Sequence, residues 1–264
     1  MTAARPGIAR GFRNVDAQTS REDFGAYLER FASAMAAEKS ASHALLEPQR
    51  GQQILDVGCG RGDDVRALAP RVGPNGCVVG IDISETLIGE ARQRGADPCV
   101  RFHLADAHAM PFADASFDAA RVERALQHVE DPASVLAEMA RVVRPGGIIV
   151  ASEPDWGTLA VDTADRDATR ELSRLLCDRH IRNGWIGRQL PGHFARLGMV
   201  AIEVRPVTLA IRSFEVAADL LQLGDTAESG WLQELQDRDS RGTFFAAMTG
   251  FTVKGRVDAV AQDQ

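Results

Sequence analysis

Long apolar runs are missing from this chain. No window approaches the length of a membrane span, so no membrane helix and no membrane partner is expected. The arginines among residues 1–11 have no apolar stretch behind them, so no secretory signal is expected there. Basic charge is not in excess either: the formal net charge is -7 at pH 7. A phosphate backbone calls for a basic face, so no nucleic-acid partner is expected. Arg heavily outnumbers Lys, which reads as a coding bias rather than a phosphate-binding surface. The four cysteines, Cys59, Cys77, Cys99 and Cys177, form no CxxC pair, and no His stands at zinc-ligand spacing. No metal is therefore expected, and a reducing, cytoplasmic location fits. Internal repeats and low-complexity segments are also lacking.

What is present suits one α/β domain with additions. The chain has 264 residues, 45% hydrophobic and 25% charged, enough to bury a core without disulfides or metals. After a polar, irregular stretch over residues 1–20, Phe24, Tyr27, Leu28, Phe31 and Met35 recur at helical spacing, with a second helix over 41–46. That stripe reads either as a helix packed on a core or as a lid over a ligand. Short apolar runs at 53–57, 77–83, 100–104, 117–122 and 148–152 alternate with helical stretches at 63–68, 85–94 and 132–143. Ser84 is a good N-cap for the second of these helices, and residues 144–147 read as a turn. Strands and helices alternating in this way imply parallel βαβ units around a buried, doubly wound sheet.

The second half is less regular. One amphipathic helix is expected over 163–182, a short one over 190–197, a sixth strand over 199–211, and helices over 214–223 and 230–238. Residues 244–253 read as a long strand or as a helix followed by one, with the last strand at their end. The expected organisation is an N-terminal arm and helical lid over 1–50, then an α/β domain over 51–264. Helical insertions serving an acceptor site are placed at about 154–198 and 214–243.

The informative segment is Ile54-Leu55-Asp56-Val57-Gly58-Cys59-Gly60-Arg61-Gly62, a strand that runs into alternate glycines and then a helix. Glycines there let a ligand lie against the main chain, and the helix start points unpaired N–H groups at it. Asp56 stands just before the glycines. Asp82, in Gly80-Ile81-Asp82-Ile83-Ser84, ends the next strand, where a carboxylate can accept both hydroxyls of a ribose. A nicotinamide dinucleotide would use G-x-G-x-x-G, whereas this loop continues with Asp63 and Asp64. A pyrophosphate facing Asp56 and those carboxylates would be repelled, while a cationic nucleoside would be tolerated.

Residues 56–62 resemble the nucleotide-loop motif of class I S-adenosylmethionine-dependent methyltransferases, especially the ubiquinone/menaquinone-biosynthesis-like small-molecule group. Further matches are Asp82, the stretch from Gly95-Ala96 to Asp106-Ala107, and residues 110–118, 124–129 and 136–147, in family order across 51–153. The resemblance implies a Rossmann-like methyltransferase fold with a seven-stranded, mostly parallel sheet whose last strand is antiparallel. It implies S-adenosyl-L-methionine as cofactor and S-adenosyl-L-homocysteine as product. It also assigns roles. Gly58, Gly60 and Gly62, with Cys59 between them, would lie along the methionine part. Asp82 would hold the ribose and Ile83 would flank the adenine. Asp106 and Ala107 would meet the adenine amino group and ring. Glu123 and Arg124 would approach the amino-acid end, or simply form a solvated strand-end pair. His128 would touch the same region or cap the following turn.

Methyl transfer from a sulfonium is an in-line displacement in which the protein aligns the partners, excludes water and, for some acceptors, removes a proton. The acceptor is expected to be a small molecule, from secondary metabolism to judge by the Arg- and Ala-rich composition. The candidate bases are His128, His180, His193 and Asp155, and none stands out. The candidate acceptor-site residues are Phe24, Tyr27, Trp156, Trp185 and Arg188. The alternatives are an RNA or protein methyltransferase, or a member of the fold that binds the cofactor without transferring methyl. A monomer or homodimer is expected.

Overall fold

The computed structural model describes residues 36–95, 97–221, 223 and 229–259. The aromatic stripe with Phe24 and Tyr27, and the arm before it, lie outside the described residues.

The elements follow in the order α1 (Ala36–Leu45), β1 (Gln53–Val57), α2 (Asp63–Val72), β2 (Cys77–Asp82), α3 (Glu85–Gln93), β3 (Val100–Leu104), β4 (Phe117–Glu123), α4 (Pro132–Val142) and β5 (Val143–Pro154). The second half adds β6 (Ala160–Val161), α5 (Arg166–Leu175), α6 (Ile186–Arg196), β7 (Val200–Ile211), α7 (Phe214–Leu221), α8 (Ser229–Ser240) and β8 (Ala246–Arg256). The sheet runs β3-β2-β1-β4-β5-β8, and the five strands from β3 to β5 are parallel. β8 is antiparallel to β5, and β7 lies antiparallel on its other edge. This is the expected sheet of seven principal strands with the last one antiparallel. It is joined by an unforeseen two-residue strand, β6, paired to the start of β8.

The sheet is buried on both faces, which is why its central strands read as unbroken apolar runs. Ile54, Val78, Ala119 and Val150 pack against α1, α2 and α3, while Leu55, Val79, Ala120 and Ile149 alternate to the face covered by α4 and α6. A separate core holds Trp156, Leu172, Leu176, Leu220, Trp231 and Phe244, contributed by the segments around α5, α7 and α8. α6 belongs to the sheet rather than to that second core, through Ile186, Leu190 and Phe194.

Three local features differ from the expected ones. The turn at 144–147 lies inside β5: the register jumps from Phe117↔Val143 to Ala119↔Ile148, with Gly146 at a φ of 75°. The helix expected over 163–182 ends at Leu175 and widens into a π turn, Leu176–His180, closed by Ile181 N–H donating to Leu176 O at 2.9 Å. A 3.6-residue period carries no trace of that extra residue per turn. α6 starts four residues earlier than expected and passes so close to β5 that a Cβ on Gly187 would meet Pro154 O at 2.8 Å. Ser84 caps α3 as expected, accepting from Leu87 N–H at 3.1 Å.

Candidate active site

Parallel strands place all their carboxyl ends on one edge, and there a cavity of about 530 Å³ opens. β1 delivers the glycine loop to it. Gly58 and Cys59 N–H donate to Ile81 O at 2.8 and 2.9 Å, pinning the loop to β2. Gly58 has a φ of 71°, and a Cβ there would lie 2.6 Å from the Ala125 Cβ, so only glycine fits. Gly62, at a φ of 78°, ends the loop as the N-cap of α2 without any side-chain cap, leaving the N–H groups of the first turn to the cavity edge.

Asp82 ends β2 with one carboxylate oxygen accepting from Gly60 N–H and the other from Ser84 N–H, both at 2.9 Å. It therefore shapes the loop as well as lining the cavity. Beside it Ile83 is 71% exposed, an apolar side chain left at the cavity mouth. After β3, Asp106 and Ala107 line the next wall. The N–H of His108 and then its ring nitrogen at 2.6 Å hold the Asp106 carboxyl below its ordinary range. β4 contributes Glu123 and Arg124, and the turn behind it contributes His128. Arg124 sits at a φ of 56°, a left-handed conformation rare for a side chain of its size, with its N–H bonded to Ser152 O at 2.9 Å.

Asp56 is not on the cavity wall. Its register partner on β4 is Arg121, and the two form a fully buried pair, Arg121 Nη1 lying 3.0 Å from Asp56 Oδ1. Arg121 also reaches Asp64, at 3.1 Å, and Glu123. Lys39 and His43 of α1 close on Asp64 at 2.7 and 3.0 Å. Burial pushes the Asp56 carboxyl up against the pull of Arg121. Burial also raises Asp64, but Arg121, His43 and Lys39 more than offset this and hold it well below the usual carboxylate range. This network escaped the sequence reading. The available signal was a pair of opposite charges, Asp56 and Arg121, at the same level of two neighbouring strands.

Of the candidate bases, only His128 lines the large cavity. Asp155 is completely buried and held by a two-pronged contact from Arg188, with Nη2 at 2.7 Å, while its Oδ1 also accepts from Gly157 N–H. A carboxylate so engaged is a structural clamp and does not face either cavity. Arg188 stacks on Trp185, 4.2 Å from the ring centroid, and neither residue lines either cavity. His180 is buried at the end of the π turn and His193 lies on α6; neither lines either of these two cavities. Burial and then Arg196 hold the His193 imidazole below its ordinary range.

Trp156 walls a smaller cavity of about 60 Å³ that shares Glu123 and Arg124 with the large one. Its indole N–H donates to buried Gln127 at 2.9 Å. The turn holding Gln127 is braced on two sides. Asn183 Nδ2 donates to Leu126 O and Val129 O at 2.8 and 2.9 Å, and Leu126 N–H donates to Glu153 Oε1 at 2.7 Å. Glu153 is 2% exposed, and burial pushes its carboxyl up to about 8, against the pull of Leu126 N–H and Arg124. It too was missed from sequence, being hidden at the end of an apolar strand. Among the described residues no group of three or more His, Cys, Asp or Glu side chains could hold a metal ion.

The fold and the loop at its carboxyl edge define a methyltransferase domain, and the family of that description matches residues 48–193. The chain is 40% identical over 239 residues to an uncharacterized 37.1 kDa protein in transposon TN4556 of Streptomyces fradiae, covering 86% of this chain and 69% of that one. It is 34% identical over 186 residues to a demethylmenaquinone methyltransferase of Geobacillus stearothermophilus, covering 64% and 79%. In fold it is similar to phosphoethanolamine N-methyltransferase 2 of Haemonchus contortus in complex with S-adenosyl-L-methionine. That match has a TM-score of 0.62 at 19% identity, covering 94% of this chain and 60% of that one. This chain belongs to the class I S-adenosylmethionine-dependent methyltransferases.

Proposed function

We propose that the enzyme binds S-adenosyl-L-methionine in the 530 Å³ cavity and catalyses methyl transfer to a small-molecule acceptor by in-line displacement. The observation that carries this reading is the loop itself: a glycine backbone at Gly58 and Gly60, tied to Asp82, at the strand edge where ligands of open α/β sheets bind. Carboxylates outnumber cationic side chains around the cavity, which suits a ligand bearing an ammonium and a sulfonium better than a pyrophosphate. When bound, the cofactor supplies an electrophilic methyl group on a sulfur that leaves as a neutral thioether.

The chain's own residues hold and orient. Asp82 takes the ribose hydroxyls, Ile83 covers one adenine face, and Asp106 with Ala107 receives the adenine edge. Glu123, Arg124 and His128 surround the amino-acid end beside Gly58 and Cys59. Asp56 acts from below by anchoring β1 to β4 through Arg121. The acceptor lies in the adjoining cavity against Trp156, within the segments 154–198 and 214–243, with the chain before residue 50 as a cover. The acceptor is a secondary metabolite, no metal takes part, and the setting is cytoplasmic, with the enzyme a monomer or homodimer. Calorimetric titration of the full chain with S-adenosyl-L-homocysteine and with a nicotinamide dinucleotide tests this reading. Binding of the first alone is expected, and binding of the second alone would sink it.

A further inference from the structure

The loop after β3 and the turn before α4 are joined by the ring of His108. Both segments line the large cavity: Asp106, Ala107 and His108 of the first, His128, Val129 and Glu130 of the second. The backbone N–H of His108 donates to Asp106 Oδ1 at 2.9 Å, and its ring Nδ1 lies 2.6 Å from the same oxygen. The other ring nitrogen, Nε2, lies 3.2 Å from the backbone N of Asp131, the N-cap of α4. These two neighbours fix the tautomer. Asp106 is ionised, since His108 holds its carboxyl below the ordinary range. An ionised carboxylate can only accept and a backbone N–H can only donate, so Nδ1 carries the proton and Nε2 the lone pair. Both donors of His108 fall on Oδ1, and Oδ2 has no hydrogen-bond partner among the described residues. The Asp106 side chain is half-exposed at the cavity wall, which leaves Oδ2 for a ligand.

We propose that His108 is a positioning residue that sets the specificity of this cavity for a 6-aminopurine. Its Nδ1–H, together with its backbone N–H, takes up Oδ1 and fixes the rotation of the carboxylate, so that Oδ2 is presented to the exocyclic amino group of the ring. The inference rests on the methyl-transfer reading of the cavity, in which Asp106 receives the adenine amino group. A carboxylate already held needs no ordering when the ligand arrives, whereas one that turns among rotamers must be ordered at a cost in affinity. The bond from Asp131 N–H braces the turn before α4 and belongs to the structure of the wall, so the two contacts of the ring can be tested apart. Asparagine is long enough to put an amide N–H where Nδ1 is, and glutamine reaches to where Nε2 is.

The test is calorimetry of the full chain at pH 8 with S-adenosyl-L-homocysteine and with its analogue whose purine lacks the 6-amino group. The wild type is expected to prefer the amino compound by about tenfold, the scale of a hydrogen bond to a charged group. His108→Asn keeps a donor at the Nδ1 place and should retain that preference within about twofold. His108→Gln keeps only the reach to Asp131 and should lower the preference below about threefold, with the affinity for the analogue unchanged. A residue that merely braces the wall gives the opposite order. That order, equal preferences in the two variants, or no preference in the wild type overturns the proposal. Should a variant fail to fold, nitrogen-15 spectra of the wild type at pH 8 decide: a His108 ring protonated at Nδ1 alone is expected, and one protonated at Nε2 overturns the assignment. Failure of the wild type to bind either compound would instead refute the methyl-transfer reading.

Discussion

Replacing Arg121 by methionine keeps an unbranched apolar stem and removes the charge from the middle of the sheet. Asp56, 2% exposed, then loses its cationic partner, while Asp64 keeps Lys39 and His43. Breaking a buried pair from one side costs about 3–5 kcal/mol, because the remaining charge has neither water nor partner. At ~2–4 °C per kcal/mol for a chain of this size, the melting temperature at pH 8 should fall by about 6–20 °C. The loss should depend on pH. Burial already raises the Asp56 carboxyl and Arg121 pulls it down, so without Arg121 it rises further. An acid whose folded pKa exceeds its unfolded one stabilises below the unfolded value and loses that stability as pH rises through the folded value. The variant should therefore lie closer to the wild type at pH 5.5 than at pH 8, and adding Asp56→Asn should restore more than half of the loss at pH 8. Urea denaturation at the two pH values measures all three proteins. A penalty below about 1 kcal/mol at pH 8, or one that does not change with pH, would refute the argument that the pair is a charge sealed in the sheet.

Three further outcomes are expected. Gly58→Ala forces a Cβ to 2.6 Å from Ala125 at a φ of 71°, whereas Gly60→Ala, at 52°, meets nothing within 4 Å. Thermal melts and calorimetry should show the first variant losing about 1–3 kcal/mol more stability than the second, and more cofactor affinity; equal losses would remove the Ala125 contact as the cause. Asp82→Ala should weaken S-adenosyl-L-methionine binding by about 1.5–3 kcal/mol, the scale of hydrogen bonds to a charged group, and an unchanged calorimetric affinity would contradict the ribose assignment. Glu153, pushed up to about 8 from an ordinary 4.5, destabilises the fold as pH rises through that interval. At ~1.4 kcal/mol per tenfold in proton affinity the effect reaches at most about 5 kcal/mol. Glu153→Gln should therefore gain on the wild type in denaturation midpoint between pH 5 and pH 9, and a gap that stays constant would argue against a buried neutral acid.

The sheet and its glycine loop were legible because their signals are local. Apolar runs of strand length alternating with helical periods require parallel units, and a loop such as 58–62 needs glycines whatever the rest of the chain does. Because parallel strands share a carboxyl edge, the same pattern predicts that Gly58, Asp82, Asp106 and Glu123 meet, and one cavity does hold all four. Asp56 was singled out from its position, but its direction was not in the sequence. A strand residue faces one side or the other according to pleat and register, and register with β4 turned Asp56 toward Arg121. Asp155, Trp185 and Arg188 have the chemistry of an acceptor site, yet Arg188 pairs with Asp155 and stacks on Trp185, and none of the three lines either cavity. Glu153 carried no local signal at all. Only the folding of α7, β7 and β8 over the end of β5 walls it in, because desolvation depends on what the distant chain covers, and no neighbouring residue in the sequence encodes that.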